Sequence, residues 1–136
     1  MNIKDIKDKP QEGDKLDNIF ATQRNLVKKY HPIETSKGIP APSPPLNLHN
    51  CLHQQRLKDL AFRCISELIE ATECLKNKPW KLTEVKTDVD HFYEEIADAL
   101  HFFIEFCINA GIDSNMLYDL YFRKSEVNRF RVRSNY

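Results

Sequence analysis

The sequence predicts an all-α protein whose four helices form a bundle-like domain, with a proline-rich connector between helices one and two. Two observations support this prediction. The chain of 136 residues contains only three glycines, and its long segments repeat apolar residues at the spacing of one helix face. A chain of this length forms one domain with a substantial core. We therefore expect a loose, flexible N-terminal arm over residues 1–13 and one helical domain over residues 14–136.

The first predicted helix runs from about Asp14 to Tyr30. Gln23 interrupts its apolar ridge, at a position where an apolar residue belongs. A buried primary amide needs hydrogen-bond partners. Two interpretations stay open: the backbone satisfies this amide, or the amide reads the donor and acceptor edge of a nucleobase.

The connector covers residues 31–50 and contains five prolines. Because proline lacks an amide donor, the segment is predicted to be neither helix nor strand over most of its length. The second helix is predicted from about Asn50 to Asn77, where Pro79-Trp80-Lys81 starts a polar loop. Trp80 is the single tryptophan, and it is expected either to fill a packing gap or to cover a ligand.

The last two predicted helices follow that loop. Helix three runs from about Asp88 to Asn109, and Ala110-Gly111 ends it with a glycine C-cap. Asp113 or Ser114 caps helix four, which continues to about Phe130.

Helices two and three each carry two acids three residues apart, so each pair projects from one side of its helix. The pairs are Glu67/Glu70 and Glu95/Asp98. The face around Glu95 is otherwise apolar, and no lysine or arginine occurs between Asp88 and Asn109. A carboxylate in such surroundings loses several kcal/mol of hydration unless it is compensated. We therefore predict a divalent cation held by oxygen ligands from both helices; a solvated acidic face is the alternative.

Charge is balanced over the whole chain, with 20 basic and 20 acidic residues, and this balance gives no indication of nucleic-acid binding. Its distribution is uneven. Residues 67–105 hold ten acids and four lysines, whereas residues 123–133 hold five basic residues and one acid. An acidic centre followed by a basic end suits a ligand that brings its own metal and its own phosphates.

Helix four places Lys124, Asn128 and Arg131 on one face, at positions i, i+4 and i+7. Two cations and an amide supply the donors that polyphosphate oxygens need. The alternative is a basic helix end favoured by the helix dipole.

The remaining features concern location. The four cysteines show no CxxC spacing, and we expect reduced thiols in a cytoplasmic protein, or in the host cytoplasm if the protein is phage-encoded. The chain has no apolar signal region and no apolar run of about 18 residues, so no export signal or membrane partner is expected.

The ordered motifs resemble the all-α nucleoside triphosphate pyrophosphatases, which include dimeric-type dUTPases, the phage dCTPase/dUTPase and MazG-like enzymes. The motifs are ExxE, then ExxD on the next helix, then KxxxNxxR. Three segments and the C-terminal Ser134-Asn135-Tyr136 are similar to the dUTPase/dCTPase branch: residues 79–81, 95–102 and 121–131. The resemblance covers residues 14–136 and is weaker before residue 60.

The resemblance implies Mg²⁺-dependent hydrolysis of a deoxynucleoside triphosphate to the monophosphate and pyrophosphate, with Mn²⁺ as a possible substitute. It implies four metal ligands, Glu67, Glu70, Glu95 and Asp98, of which Glu70 and Glu67 would also orient or deprotonate the attacking water. It implies phosphate binding by Lys124, Asn128, Arg131 and Tyr136. The base pocket would involve Gln23, Trp80 and His101.

The expected substrate is a pyrimidine deoxynucleotide, with dUTP favoured. Val27 stands near the position where many such dUTPases carry an asparagine, so dCTP, a modified nucleotide or a broader MazG-like activity are alternatives. A non-enzymatic helical module that binds a nucleotide, or nucleic acid through residues 123–133, is the competing class. Because helix three is apolar on most of its circumference, we expect a homodimer or a higher homo-oligomer.

Overall fold

The computed structural model describes residues 1–135, and its regular structure is helical. A short 3₁₀-helix precedes four α-helices: Ile3–Asp5, then α1 (Lys15–Ser36), α2 (Cys51–Glu73), α3 (Val89–Asn109) and α4 (Ser114–Arg133). No strand occurs among the described residues. The predicted all-α class is therefore confirmed. None of the helices within residues 1–135 is long and apolar enough to cross a membrane.

Each α-helix begins at a polar side chain that caps it. Asp14, Asn50, Asp88 and Asp113 each accept a hydrogen bond from the backbone N–H three residues further on. Such a cap satisfies one of the amide donors that the first helical turn leaves without a partner, and it contributes about 1 kcal/mol. The predicted starts of all four helices are therefore correct to within a residue.

The ends of three helices differ from the prediction. α1 continues to Ser36 and contains Pro32, although the prediction ended the helix at Tyr30. Proline costs a helix about 3 kcal/mol, but the extra turn carries Glu34 to two arginines of α2, and these ion pairs offset part of that cost. Conversely, α2 ends at Glu73, short of the predicted Asn77. α4 extends to Arg133, beyond the predicted Phe130.

α3 is the central helix, packing against α2 and against α1, while α4 packs against α1. The core between α1 and α3 is built on Phe20, Ile104 and Cys107, each no more than 2% exposed. Burying one such side chain stabilises the fold by about 1.5–3 kcal/mol. Leu117 extends this cluster to α4. However, α4 itself buries no residue.

The connector and the turn after α3 are joined. The Leu46 N–H donates to the Asn109 carbonyl over 2.8 Å, and Leu46 is buried. Gly111 has a φ of +80°, a conformation that costs glycine nothing. A side-chain carbon added there would lie 3.3 Å from Pro45. The glycine predicted to end α3 therefore also leaves room for Pro45 of the connector to pack closely.

The N-terminal segment lies against two helices. The Ile3 N–H donates to Glu94 Oε1 over 2.9 Å, and Lys4 forms an ion pair with Asp90. Further along, the Asn18 amide of α1 donates to the carbonyls of Gln11 and Glu12. These contacts tie residues expected to form a flexible arm to α3 and to α1.

Candidate metal centre and adjoining cavity

Three carboxylates from α2 and α3 form a cluster. One oxygen from each of Glu67, Glu95 and Asp98 can be chosen so that all three lie within 4.8 Å of one another. Two of these acids come from one turn of α3 and the third from the facing turn of α2. Three of the four acids predicted as metal ligands, from both helices, are thus brought together, whereas Glu70 is not a member of this cluster.

The register of α2 against α3 positions the cluster. Cys64 lies one turn before Glu67, and its Sγ donates to the Ala99 carbonyl over 3.3 Å. Ala99 in turn follows Glu95 by one turn of α3. The two helices are therefore antiparallel at this point, and small buried residues allow their backbones to approach. Ala71 and Cys74 are also buried, which continues the close contact beyond Glu67.

Glu95 is the most constrained member of the cluster. Its side chain is 9% exposed, and its Oε2 atom has no hydrogen-bond partner in the part of the chain that the structure describes. Its other oxygen lies 3.3 Å from His91 Nε2. A buried carboxylate oxygen without a partner costs free energy, so this atom fits a site in which another group supplies positive charge.

The pKa of Glu67 reflects its burial and the nearby carboxyl groups. Burial raises the pKa of Glu67 to about 8, and the neighbouring Glu95 and Glu70 carboxyls add to the effect. A shift in this direction arises where partly buried carboxylates share a site. Glu70 is exposed and does not belong to the three-residue cluster, but it is close enough to Glu67 to contribute to this shift. All four predicted metal ligands therefore lie in one region.

The donor set suits a hard divalent cation. Mg²⁺ and Mn²⁺ take oxygen ligands, and Mg²⁺ is commonly bound through one or two carboxylates plus water and substrate phosphate. Glu67, Glu95 and Asp98 would hold such an ion. No thiol or imidazole is among the cluster atoms, which argues against a preference for softer metals.

His91 belongs to this region and was missed by the sequence analysis. The search for a partner of Glu95 considered lysine and arginine alone. The signal was present, because His91 precedes Glu95 by four residues and residues at that spacing meet on one helix face. Its ring nitrogens lie 3.3 Å from Glu95 and 3.9 Å from Glu94.

A cavity of about 600 Å³ adjoins α1 and α3 and brings together two of the predicted base-binding residues. Gln23 and His101 both line it, together with Leu100 and the N-terminal residues 10–13. Gln23 is 3% exposed, and no hydrogen bond involves its side-chain amide within residues 1–135. His101 follows Asp98 by three residues, about 4.5 Å along the helix axis, so the cavity starts near the carboxylates.

The third predicted base-binding residue is elsewhere. Trp80 is 74% exposed and is not among the described residues that line this cavity. Lys78 Nζ lies 5.7 Å from the centroid of its ring, a cation–π distance.

The predicted phosphate-binding residues lie on the exposed surface of α4: Lys124, Asn128 and Arg131. Within residues 1–135, no assigned hydrogen bond or ion pair of Lys124 or Asn128 joins α4 to the carboxylates. Tyr136, the fourth predicted phosphate ligand, lies outside the described residues. Among the described residues, the metal candidates lie together and two of the base candidates line one cavity. No assigned contact within this part of the chain brings Lys124 or Asn128 to the carboxylates.

The fold and the site define a class: an all-helical protein with a carboxylate cluster between two antiparallel helices and a cavity beside it. Comparisons of the chain with protein-family models, with curated proteins and with solved structures find no match.

Proposed function

We propose that the protein hydrolyses a pyrimidine deoxynucleoside triphosphate, with dUTP favoured, to the monophosphate and pyrophosphate in the presence of Mg²⁺. The observation that carries the proposal is the convergence of Glu67, Glu95 and Asp98 beside a cavity that contains a buried amide. The order of motifs along the chain supports it, through their resemblance to the all-α nucleoside triphosphate pyrophosphatases.

The metal would be held by the three clustered carboxylates and Glu70. When bound, Mg²⁺ neutralises phosphate charge and lowers the pKa of a coordinated water. Glu70, which is exposed and near Glu67, would orient or deprotonate the attacking water. His91 Nε2 lies 3.3 Å from one Glu95 oxygen, and this contact would help to fix the carboxylate that holds the ion.

The base would enter the cavity lined by Gln23 and His101. A primary amide can donate to a pyrimidine carbonyl and accept from the ring N–H, and a flip exchanges its two ends. Uracil presents both groups on one edge. Since cytosine can also be served by the flipped amide, dCTP is the second candidate.

A homodimer would complete the fold. α4 buries no residue in the single chain, and large apolar side chains are exposed on two helices, including Phe62 and Ile69 of α2 and Phe122 and Phe130 of α4. Apolar surface of this extent is typical of protein–protein contacts. A second copy that covers these faces is therefore part of the proposal.

The deciding experiment measures pyrophosphate release from dUTP, dCTP, dTTP, dATP and dGTP, with Mg²⁺ and with EDTA. We expect release from dUTP that requires Mg²⁺ and is abolished in Asp98→Asn, which removes a charge without changing volume. Glu126→Gln, an exposed acid on α4, is the matched control and should retain full activity. Full activity of Asp98→Asn would contradict the metal site, and a purine preference would contradict the role of Gln23.

A further inference from the structure

A second cavity, of about 390 Å³, lies at the other end of the α1–α3 contact. Its walls come from α1, α2, α3 and the connector, and they include Tyr30, Glu34, Arg63, Phe102 and Glu105. None of these residues belongs to the carboxylate cluster or to the first cavity. A volume of this size falls within the range of small-molecule sites.

Glu105 is the unusual residue of this cavity. It is 1% exposed, and its carboxyl makes no assigned hydrogen bond or ion pair among residues 1–135; its backbone carbonyl alone accepts a bond, from Asn109. Its oxygens are not among the fully buried atoms without a partner, so the carboxyl retains accessible surface where Glu105 lines the cavity. The charged groups that act on Glu105 are Arg63, Arg56 and Glu34, which separates it from the metal cluster.

Arg63 provides the complementary side of the cavity. It contacts Glu34 through Nη2 at 3.2 Å and Nη1 at 3.5 Å, while Arg56 Nη1 holds the same carboxylate at 2.5 Å. The Arg63 side chain is 37% exposed. A guanidinium carries five N–H donors, so donors remain for a ligand after the contact with Glu34.

We propose that this cavity binds a guanine base. The rings of Tyr30 and Phe102 and the side chains of Ile33 and Ile39 give the walls apolar surface for a flat heterocycle. Guanine carries adjacent N1–H and 2-amino donors that a carboxylate accepts, and acceptors at O6 and N7 that arginine reads in other complexes. Glu105 would take the first edge and Arg63 the second.

The match requires the ionised carboxylate, which can accept from both the N1–H and the 2-amino group of guanine. Burial raises the pKa of the Glu105 carboxyl, whereas Arg63 and Arg56 favour its charged form. Adenine fits less well because its amino group would direct donors at Arg63. Uracil lacks the two adjacent donors, since its N3–H is flanked by carbonyls.

The test is a calorimetric titration of the full-length protein in EDTA with guanosine, adenosine and uridine. We expect guanosine to bind, and both adenosine and uridine to bind at least about tenfold more weakly. Glu105→Gln preserves size but removes the carboxylate, and it should weaken guanosine binding by about tenfold or more. Glu126→Gln should bind guanosine as the wild type does.

Two results would overturn the proposal: no guanosine binding by the wild type, or equal binding by wild type and Glu105→Gln. If Glu105→Gln does not fold, Arg63→Gln, at a more exposed position, must show the same loss. If Gln23→Leu weakens guanosine binding and Glu105→Gln does not, the nucleoside lies in the first cavity. That result would also contradict the proposal. Because the ligand lacks phosphate and the buffer lacks Mg²⁺, the outcome is independent of dUTP hydrolysis.

Discussion

Replacing Glu95 by glutamine should stabilise the metal-free protein above pH 8, where Glu67 is ionised, which is the opposite of what a substitution at a buried, structurally required residue normally does. Under these conditions two unit charges 4.8 Å apart, the outer limit for the cluster, repel by about 3.5 kcal/mol at an effective dielectric constant of 20. Solvent screening at the half-buried Glu67 reduces this to about 1–2 kcal/mol. The new amide can also donate a hydrogen bond to Glu67. We expect the melting temperature in EDTA above pH 8 to rise on the order of 5 °C.

The pH dependence gives an independent signature. The pKa of Glu67 is about 8 in the folded chain, against an ordinary value of 4.5. Between these two values the folded state binds more protons than the unfolded state, so stability falls as pH rises from about 4.5 to 8. Removing the neighbouring charge in Glu95→Gln should lower the pKa of Glu67 and flatten this part of the profile.

The assay is thermal unfolding followed by circular dichroism across this pH range, in EDTA and in saturating Mg²⁺. Mg²⁺ should raise the melting temperature of the wild type and leave that of Glu95→Gln unchanged, because a ligand stabilises only the state that binds it. A Glu95→Gln protein that melts lower than the wild type in EDTA above pH 8, and that keeps the wild-type pH slope, would refute the argument that these carboxylates repel one another.

Two further predictions concern other parts of the chain. Lys124→Ala and Arg131→Ala should each weaken triphosphate binding by about 1.5–3 kcal/mol, the range for hydrogen bonds to charged groups. The loss should be equal for every base. Titration with non-hydrolysable analogues measures it, and a base-dependent loss would contradict the prediction. Glu34→Gln should destabilise the protein by about 3 kcal/mol at pH 7, because it leaves buried Arg56 without its carboxylate. The Arg56 and Arg63 guanidiniums lower the pKa of Glu34 to about 2, so the loss of stability in Glu34→Gln should shrink as pH falls from about 4.5 towards 2. Urea unfolding measures the free energy of unfolding of both proteins across this range. A difference between them that does not change with pH would exclude the ion pair as its cause.

The features that the sequence predicted best are those that depend on a few neighbouring residues. Asp88 at the start of α3 and Gly111 after its end each have a local geometric role, so a short window of sequence is sufficient to predict them. The spacing of Glu95 and Asp98 similarly depends on helix geometry alone. Their convergence with Glu67 could be anticipated because α2 and α3 are consecutive, and consecutive elements are usually adjacent in space.

Features that depend on distant residues could not be anticipated. The local cost of Pro32 argued for ending α1 early, and no nearby residue shows that Glu34 meets Arg56 across 22 positions. The sequence position of Trp80 suggests either a packing role or a cover over a ligand, yet loop geometry leaves its ring exposed. Glu105 was noticed as one of many acids, since burial of a single carboxyl leaves no trace in composition.

The residues that line the first cavity are not all held equally firmly, because some of them belong to the N-terminal segment. One side is built from α1 and α3, whereas residues 10–13 form another side and are held by exposed hydrogen bonds from Asn18 and by the exposed Lys4–Asp90 pair. Contacts of this kind break at small free-energy cost, well below that of global unfolding. A molecule in the cavity can therefore exchange with solvent through fraying of this segment while the helices stay packed, and its residence time would be set by that local opening.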